Sequence, residues 1–310
     1  MMSSIFDLIH QQLEKGLYHG ASLALFQSGK WQEYYLGTID GTQPVREGLV
    51  YDLASVSKVL GVGTLCIFLV NSGALELDMP LTHYYPSFKD RYVTVRQLLT
   101  HTSGIDPFIP DRNSLGAQQL KEAMNHLRVE EDKSFKYTDV NFILLGFMLE
   151  EMFGQSLDLL FEDVIFTPFG MRETSYGPRK GAVPTLRGLL DGLVHDPKAR
   201  VLKEHTGSAG LFSTLKDLEL FVDHYLKNDF SDNLFQNYSQ IDKERSLAWD
   251  LKGDWIDHTG YTGPFIMLNK KAQKAAIFLT NRTYERDERS LWISERSQLT
   301  NLIGQVLEES

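Results

Sequence analysis

Apolar residues recur at helical spacing at both ends of the chain and at strand spacing just inside them. Ile5, Leu8, Ile9 and Leu13 mark one face of an amphipathic helix that Gly16 stops. "ASLALFQSGKWQEYYLGTID" reads as two strands around a turn at Ser28-Gly29-Lys30. Helical spacing begins near Ser55 and runs to Gly73, the C′ residue. Residues 74–170 read as mostly helical, with i, i+3, i+4 apolar spacing in "VTVRQLLTH" and "VNFILLGFMLEEMFG". Residues 172–207 are richer in Gly, Pro and charge and read as a long irregular excursion. "TLKDLELFVDHYLK" returns to an amphipathic helix. "RSLAWDL", "GPFIMLN" and "KAAIFLTN" read as three short strands, and "ISERSQLTNLIGQVLEE" as a terminal helix.

The order is helix, strands, helices, strands, helix. It predicts an α/β (α+β) fold: an antiparallel sheet drawing strands from both chain ends, flanked by helices, with a mainly helical lobe inserted between them. Residues 1–310 form one unit on this reading. Residues 1–54 and 208–310 build the sheet-containing lobe, and 55–207 the helical lobe with its excursion at 172–207. A crevice between two such lobes is a natural place for a site. The net charge of -10 argues against nucleic acid and anionic membrane surfaces as partners. Cys66 is the single cysteine; inside "GTLCIFLV" it reads as a buried, inert thiol. "MMSSIFDLIHQQLEKG" has no basic n-region and no continuous apolar core. The longest apolar run, near 61–70, falls short of the ~20 residues that span a bilayer. The expectation is a cytoplasmic protein without a membrane anchor; the oligomeric state stays open.

Chemistry enters at Ser55-Val56-Ser57-Lys58, which fits S-x-x-K. Positions i and i+3 share a helix face, so the Ser55 hydroxyl and the Lys58 amine can meet, while Ser57 points elsewhere. The field of a helix N-terminus favours an oxyanion and disfavours an ammonium. With burial, it is expected to lower the Lys58 pKa and let Lys58 act as a base toward Ser55. The spacing alone is weak evidence. An N-cap serine with a snorkelling lysine explains it equally, and a second match exists at Ser213-Thr214-Leu215-Lys216. There Thr214 and Asp217 read as a capping box, with Lys216 on a solvated face.

The company that Ser55 keeps is more specific. Tyr137-Thr138-Asp139 precedes an apolar helix, and His258-Thr259-Gly260 enters a strand pattern. S-x-x-K, then Y-x-N or a variant, then K-T-G or H-x-G, in that order, resembles the serine β-lactamase and penicillin-binding protein superfamily. The likeness is to its class C-like branch of esterases, DD-peptidases and D-aminopeptidases. "LLTHTSGI", "AGLFSTLKDL" and "LTNRTY" agree with it, and it spans roughly residues 20 to 300. The resemblance implies the β-lactamase/transpeptidase-like fold. It makes Ser55 the acylated nucleophile, Lys58 its partner, and Tyr137 a proton relay to the leaving group. It puts the acyl oxyanion between the backbone N–H groups of Ser55 and Tyr261. Asp139, Asn141, His258, Thr259 and Gly260 fall at positions that would hold substrate.

Two positions depart from the pattern. Asp139 replaces an amide donor with a carboxylate, unless Asn141 compensates. His258 replaces a fixed ammonium with a group that is mostly neutral at pH 7. His205-Thr206-Gly207 lacks a following strand and is a decoy for the third motif. His101 and His195 have no second ligand at i+2 to i+4, which argues against zinc and for structural hydrogen bonding. Trp249 reads as packing near the cleft. The expected function is a metal-independent serine hydrolase, with no cofactor, that cleaves small esters through an acyl-enzyme. The alternatives are a DD-carboxypeptidase, a D-aminopeptidase or a weak β-lactamase acting on amide or peptide substrates. A third reading is a catalytically inactive protein that binds muropeptides or penicillin.

Overall fold

The computed structural model describes residues 2–188 and 192–309. Its main sheet has six antiparallel strands in the order β2-β1-β9-β8-β7-β6. These are β1 (Gly20–Gln27), β2 (Lys30–Gly37), β6 (Asp250–Lys252), β7 (Trp255–Thr259), β8 (Phe265–Asn269) and β9 (Lys274–Thr280). β1 pairs with β9, Ser22 opposite Leu279, so the two chain ends are joined at the middle of the sheet. The expected topology is therefore present. At the first hairpin, Ser28 and Gly29 both take positive φ, 51° and 75°. That is the mirror-image turn whose twist suits a two-residue hairpin.

β1 is buried on both faces, which explains its nearly unbroken apolar run. Leu23 and Leu25 face one core, closed by the helices Met2–Glu14 and Arg289–Glu308. Ala24 and Phe26 face the other, which includes Phe221 and Val222 of the helix Leu215–Lys227. A second sheet of three short strands has the order β3-β5-β4, from β3 (Val50–Asp52), β4 (Ser175–Tyr176) and β5 (Leu211–Thr214). β3 delivers the chain to Ser55.

Some expectations change in detail. The run 54–72 is a tight turn, then a π-turn at Val59–Gly63, then an α-helix to Ser72; Gly73 ends it at φ 75°. The Thr64 hydroxyl donates to the Val59 carbonyl at 2.6 Å inside the widened turn. The run is apolar and long enough to cross a membrane, but it is mostly buried inside the protein. Cys66 is buried there as a free thiol. Residues 74–170 hold several short helices separated by extended connections rather than continuous helix. "RSLAWDL" is strand only from Asp250. Ala248 turns the chain at φ 70°, and this places Trp249 in the core against Tyr225. The motif strand β7 is a fourth strand at that end of the chain. The 172–207 excursion contains β4 and a helix, Pro197–Leu202; its residues 189–191 lie outside the described residues.

Candidate active site

The turn into Ser55 is strained and held. Ala54 adopts φ 46°, a left-handed conformation that costs a non-glycine residue about 1–2 kcal/mol. The Asp52 carboxylate fixes the turn. Oδ1 accepts from the Ala54 N–H at 2.8 Å and Oδ2 from the His195 N–H at 2.7 Å. Burial, only partly offset by those two bonds, raises the Asp52 pKa to about 6. Ser57 does point elsewhere: its hydroxyl accepts from the Leu211 N–H at 3.2 Å.

Lys58 is fully buried. Its ammonium donates to Ser55 Oγ at 2.8 Å, Asp139 Oδ1 at 2.7 Å and the Ser208 carbonyl at 2.9 Å. Three acceptors saturate a tetrahedral ammonium. Burial alone would disfavour the charge, but the Asp139 carboxylate and then Tyr137 outweigh it and hold the Lys58 pKa above the ordinary lysine value. This reverses the expectation from the sequence. The helix N-terminal field was visible there, and a carboxylate brought in from another helix was not.

Asp139 opens the helix Asp139–Phe153, with Thr138 as its N-cap. Burial would raise its pKa; Lys58 and Lys198 together hold it below the usual carboxylate range. Lys198 Nζ lies 3.0 Å from Asp139 Oδ2 and 3.0 Å from Asp196 Oδ2. Asp139 therefore spends both oxygens inside the protein. Tyr137 is the exposed member of the group, its ring centroid 5.2 Å from Lys58 Nζ and 4.4 Å from the His101 ring.

Asn141 is not in the cleft. It is buried on the far side of its helix, with its amide on His101 Nδ1 at 3.0 Å and Ser103 Oγ at 2.7 Å. It therefore cannot replace the missing amide at position 139 as a substrate donor. His101, with its Nδ1 so engaged, backs the Tyr137 ring as a structural residue. His258 is buried as well, and neither ring nitrogen has a hydrogen-bond partner among the described residues. Burial, then the charges of Lys58 and Arg245, put its pKa well below the ordinary histidine value. It is a neutral group beside Tyr137, with ring centroids 6.4 Å apart. Its burial argues against the substrate contact that its motif position implied.

Thr259 and Gly260 end β7 against the turn that presents Ser55. A Cβ on Gly260 would meet the Leu53 carbonyl at 2.6 Å, so only glycine allows this approach. It brings the end of β7 against the turn at Ala54–Val56, and neither the Ser55 nor the Tyr261 N–H donates a hydrogen bond among the described residues. The Tyr261 ring, between Arg282 and Arg289, walls a cleft of about 570 Å³ that Ser55, Tyr137, Ile109, Met124 and Leu186 also line. At the decoy sites, Ser213 bonds Thr174 at 2.7 Å while Thr214 caps the next helix. His205 pairs with Glu150 on the surface.

Sequence reasoning missed Lys198, Asp196 and Arg200, all lining the cleft from the excursion. Asp196 carried one usable signal: it precedes Pro197 and caps that helix, accepting from the Ala199 N–H at 2.9 Å.

Curated relatives match this sequence at a distance. A protein of Escherichia coli (strain K12) named "Putative D-alanyl-D-alanine carboxypeptidase" is 27% identical over 318 residues, covering 81% of this chain and 73% of its own. One of the same name from Salmonella enteritidis PT4 is 25% identical, covering 84% and 76%. Among solved structures, a "Beta-Lactamase/D-Alanine Carboxypeptidase from Pseudomonas syringae" superposes with TM-score 0.78 at 19% identity over 97% of each chain. "EstCE1, a hydrolase with promiscuous acyltransferase activity" superposes with TM-score 0.74 at 16% identity over 96% and 97%. At such identities these two show the fold alone. The Beta-lactamase family model itself matches residues 5–300, nearly the whole chain, and the chain belongs to that family of serine hydrolases.

Proposed function

We propose that the protein is a serine hydrolase that cleaves small neutral esters through an acyl-enzyme on Ser55. The observation that carries the ester preference is the interior state of the two departed motif positions. Asp139 is consumed by Lys58 and Lys198, and His258 is buried and neutral. Neither offers an amide donor or a fixed cation to a β-lactam or peptide. A neutral ester requires neither, and its alkoxide is a better leaving group than an amine.

In this reading Ser55 Oγ attacks the ester carbonyl. Its proton passes to the Tyr137 oxygen as the Tyr137 hydroxyl proton passes to the departing alkoxide, so tyrosine is neutral before and after. Lys58, held as an ammonium, orients Oγ and favours the charge that develops on it. The free N–H groups of Ser55 and Tyr261 receive the carbonyl oxygen as it becomes an oxyanion. Water then attacks the acyl carbon, giving its proton through Tyr137 to Ser55 Oγ, and the acid leaves. No step calls for a metal.

A second reading, a carboxypeptidase for D-alanyl peptides, draws on the names of the curated relatives. It also draws on Arg289, a cation stacked on Tyr261 at the cleft wall with no ion pair among the described residues. Labelling with a fluorophosphonate, located by peptide mass spectrometry, tests the acyl-enzyme; a label anywhere but Ser55 overturns it. A parallel screen of p-nitrophenyl acetate and butyrate against a D-Ala-D-Ala peptide, each with and without EDTA, separates the two readings. Faster turnover of the peptide, or zinc-restored loss in EDTA, overturns the ester reading.

A further inference from the structure

We infer that Lys198 is a positioning residue, and that Lys198 and Asp139 act as one compensated pair that keeps Lys58 aimed at Ser55. The inference rests on the acyl-enzyme reading above. It follows from a line of alternating charge running out of the nucleophile. Ser55 Oγ meets Lys58 at 2.8 Å, Lys58 meets Asp139 Oδ1 at 2.7 Å, Asp139 Oδ2 meets Lys198 at 3.0 Å, and Lys198 meets Asp196 Oδ2 at 3.0 Å. Two cations and two anions balance, with each shared group bridging its neighbours.

A carboxylate at position 139 creates a difficulty that an amide would not. One cation, Lys58, must neutralise it while also directing a proton at Ser55. With Lys58 alone, the carboxylate is free to rotate or to draw the ammonium away from Oγ. Lys198 removes that freedom by taking the second oxygen. Each oxygen then has its own cation, and the plane of the carboxylate is fixed.

Lys198 is itself held. Asp196 caps the helix that carries it, the Arg200 guanidinium binds the Val194 and His195 carbonyls at 2.5 and 3.0 Å, and the His195 N–H is bound to Asp52. The segment is thereby tied to the same turn that presents Ser55. Lys198 does not reach Ser55, so its effect on chemistry passes through Asp139.

The groups facing this line can be named from every side. Tyr137 faces Lys58 across the cleft, His101 and His258 lie behind it and are held neutral, and His195 and Arg200 flank Lys198 on its own segment. Removing Lys198 takes a partner from both the Asp139 and the Asp196 carboxylates, and of the two only Asp139 also holds Lys58. The acid limb of the pH–rate profile should therefore respond to Lys198, and should move toward higher pH on its removal.

The test compares Lys198→Met, Lys198→Arg, Asp139→Asn and the double variant Asp139→Asn/Lys198→Met, with p-nitrophenyl butyrate and with a fluorophosphonate probe. Lys198→Met should lower kcat about ten- to a hundred-fold, leave KM within about three-fold, and shift the acid limb upward. Lys198→Arg should recover most of the rate. The double variant should outperform the product of the single losses, because an amide at 139 has no need of a second cation. Wild-type kcat and pH profile in Lys198→Met, or losses that multiply in the double variant, would overturn the inference. Should Lys198→Met fail to fold by circular dichroism, Lys198→Gln, which keeps a polar head, replaces it with the same criteria. The probe separates the two levels. Wild-type protein that does not label at Ser55 defeats the acyl-enzyme reading itself. Labelling that is equally fast in wild type and the Lys198 variant defeats only the role of Lys198.

Discussion

The Asp52 carboxylate holds the His195 backbone N–H at 2.7 Å while its other oxygen holds Ala54, the residue before Ser55. One buried acid thus ties the turn that presents Ser55 to the cleft wall that supplies Lys198. Its folded pKa, about 6, stands above the ordinary aspartate value, so the folded protein binds this proton more tightly than the unfolded chain does. Its contribution to stability is full below about pH 4 and is lost as pH rises through about 6. Asp52→Asn removes that dependence and leaves one of the two N–H groups facing an amide NH₂. Unfolding in urea from pH 4 to 8 should show wild type gaining on Asp52→Asn by up to about 3 kcal/mol as pH falls. A difference that stays flat over this range would mean Asp52 is already ionised in the fold with no penalty.

Ser55→Ala should abolish ester turnover, leaving only what binding and oxyanion donors supply, and should leave the melting temperature nearly unchanged. Ser213→Ala is the internal control because it removes the other S-x-x-K serine. Its buried hydroxyl bonds Thr174, so stability should drop by about 1 kcal/mol with activity retained. More than about a tenth of wild-type activity in Ser55→Ala would remove it as the nucleophile.

Lys58→Met and Tyr137→Phe should each lower kcat/KM about a thousand-fold, and the double variant should lose little more than the worse single one. Lys58 holds Ser55 Oγ, and Tyr137 lies over the same ammonium; a relay missing either member has lost its use of the other. Single losses that multiply would show two independent contributions.

What could be seen in the sequence follows from the range of each interaction. The sheet was legible because the short apolar runs of β1, β8 and β9, bounded by turn residues, are local signals, and pairing the two ends is the compact way to bury them. Ser55 and Lys58 were legible because i and i+3 share a helix face. The charge on Lys58 was not, because Asp139 and Lys198 arrive from segments far along the chain. Asn141 was misplaced for a local reason. On a helix it sits two residues from Asp139, about 200° around the axis, so one facing the cleft forces the other into the core. The burial of His258 was illegible because alternation names two faces of β7 without saying that both are covered.

The balance between penicillin and ester substrates should not change as pH drops from 8 to 6. His258 is the titratable member of the third motif. Burial and the charges of Lys58 and Arg245 keep it neutral throughout that range. The ratio of penicillin acylation to p-nitrophenyl acetate cleavage, measured at matched pH, should stay constant within about two-fold. A several-fold rise in the ratio toward pH 6 that vanishes in His258→Asn would show that the imidazole does gain its proton and hold the penicillin carboxylate.

Acid should destabilise the fold through two histidines at once. His101 is buried with Nε2 unpartnered, and His258 is buried with neither nitrogen partnered, among the described residues. Arg245 and Lys58 oppose a proton on each, and Asp139 draws only weakly the other way on His101. Both folded pKa values lie well below 6.5, so the unfolded chain binds protons that the fold refuses. The stability they contribute is complete above about pH 6.5 and is lost as pH falls below it, at about 1.4 kcal/mol per histidine per pH unit. Asp52 and Glu219, whose pKa values burial raises to about 6 and about 7, act in the opposite sense, so each variant is read as a slope relative to wild type. Asp52→Asn should lose stability more steeply than wild type from pH 7 to 5 because it lacks an opposing acid. His258→Asn should fall less steeply, by about one proton in the slope. Urea denaturation at half-unit pH steps reads all three slopes. A His258→Asn slope equal to wild type would mean that His258 is protonated inside the fold, and the neutral imidazole beside Tyr137 would have to be abandoned.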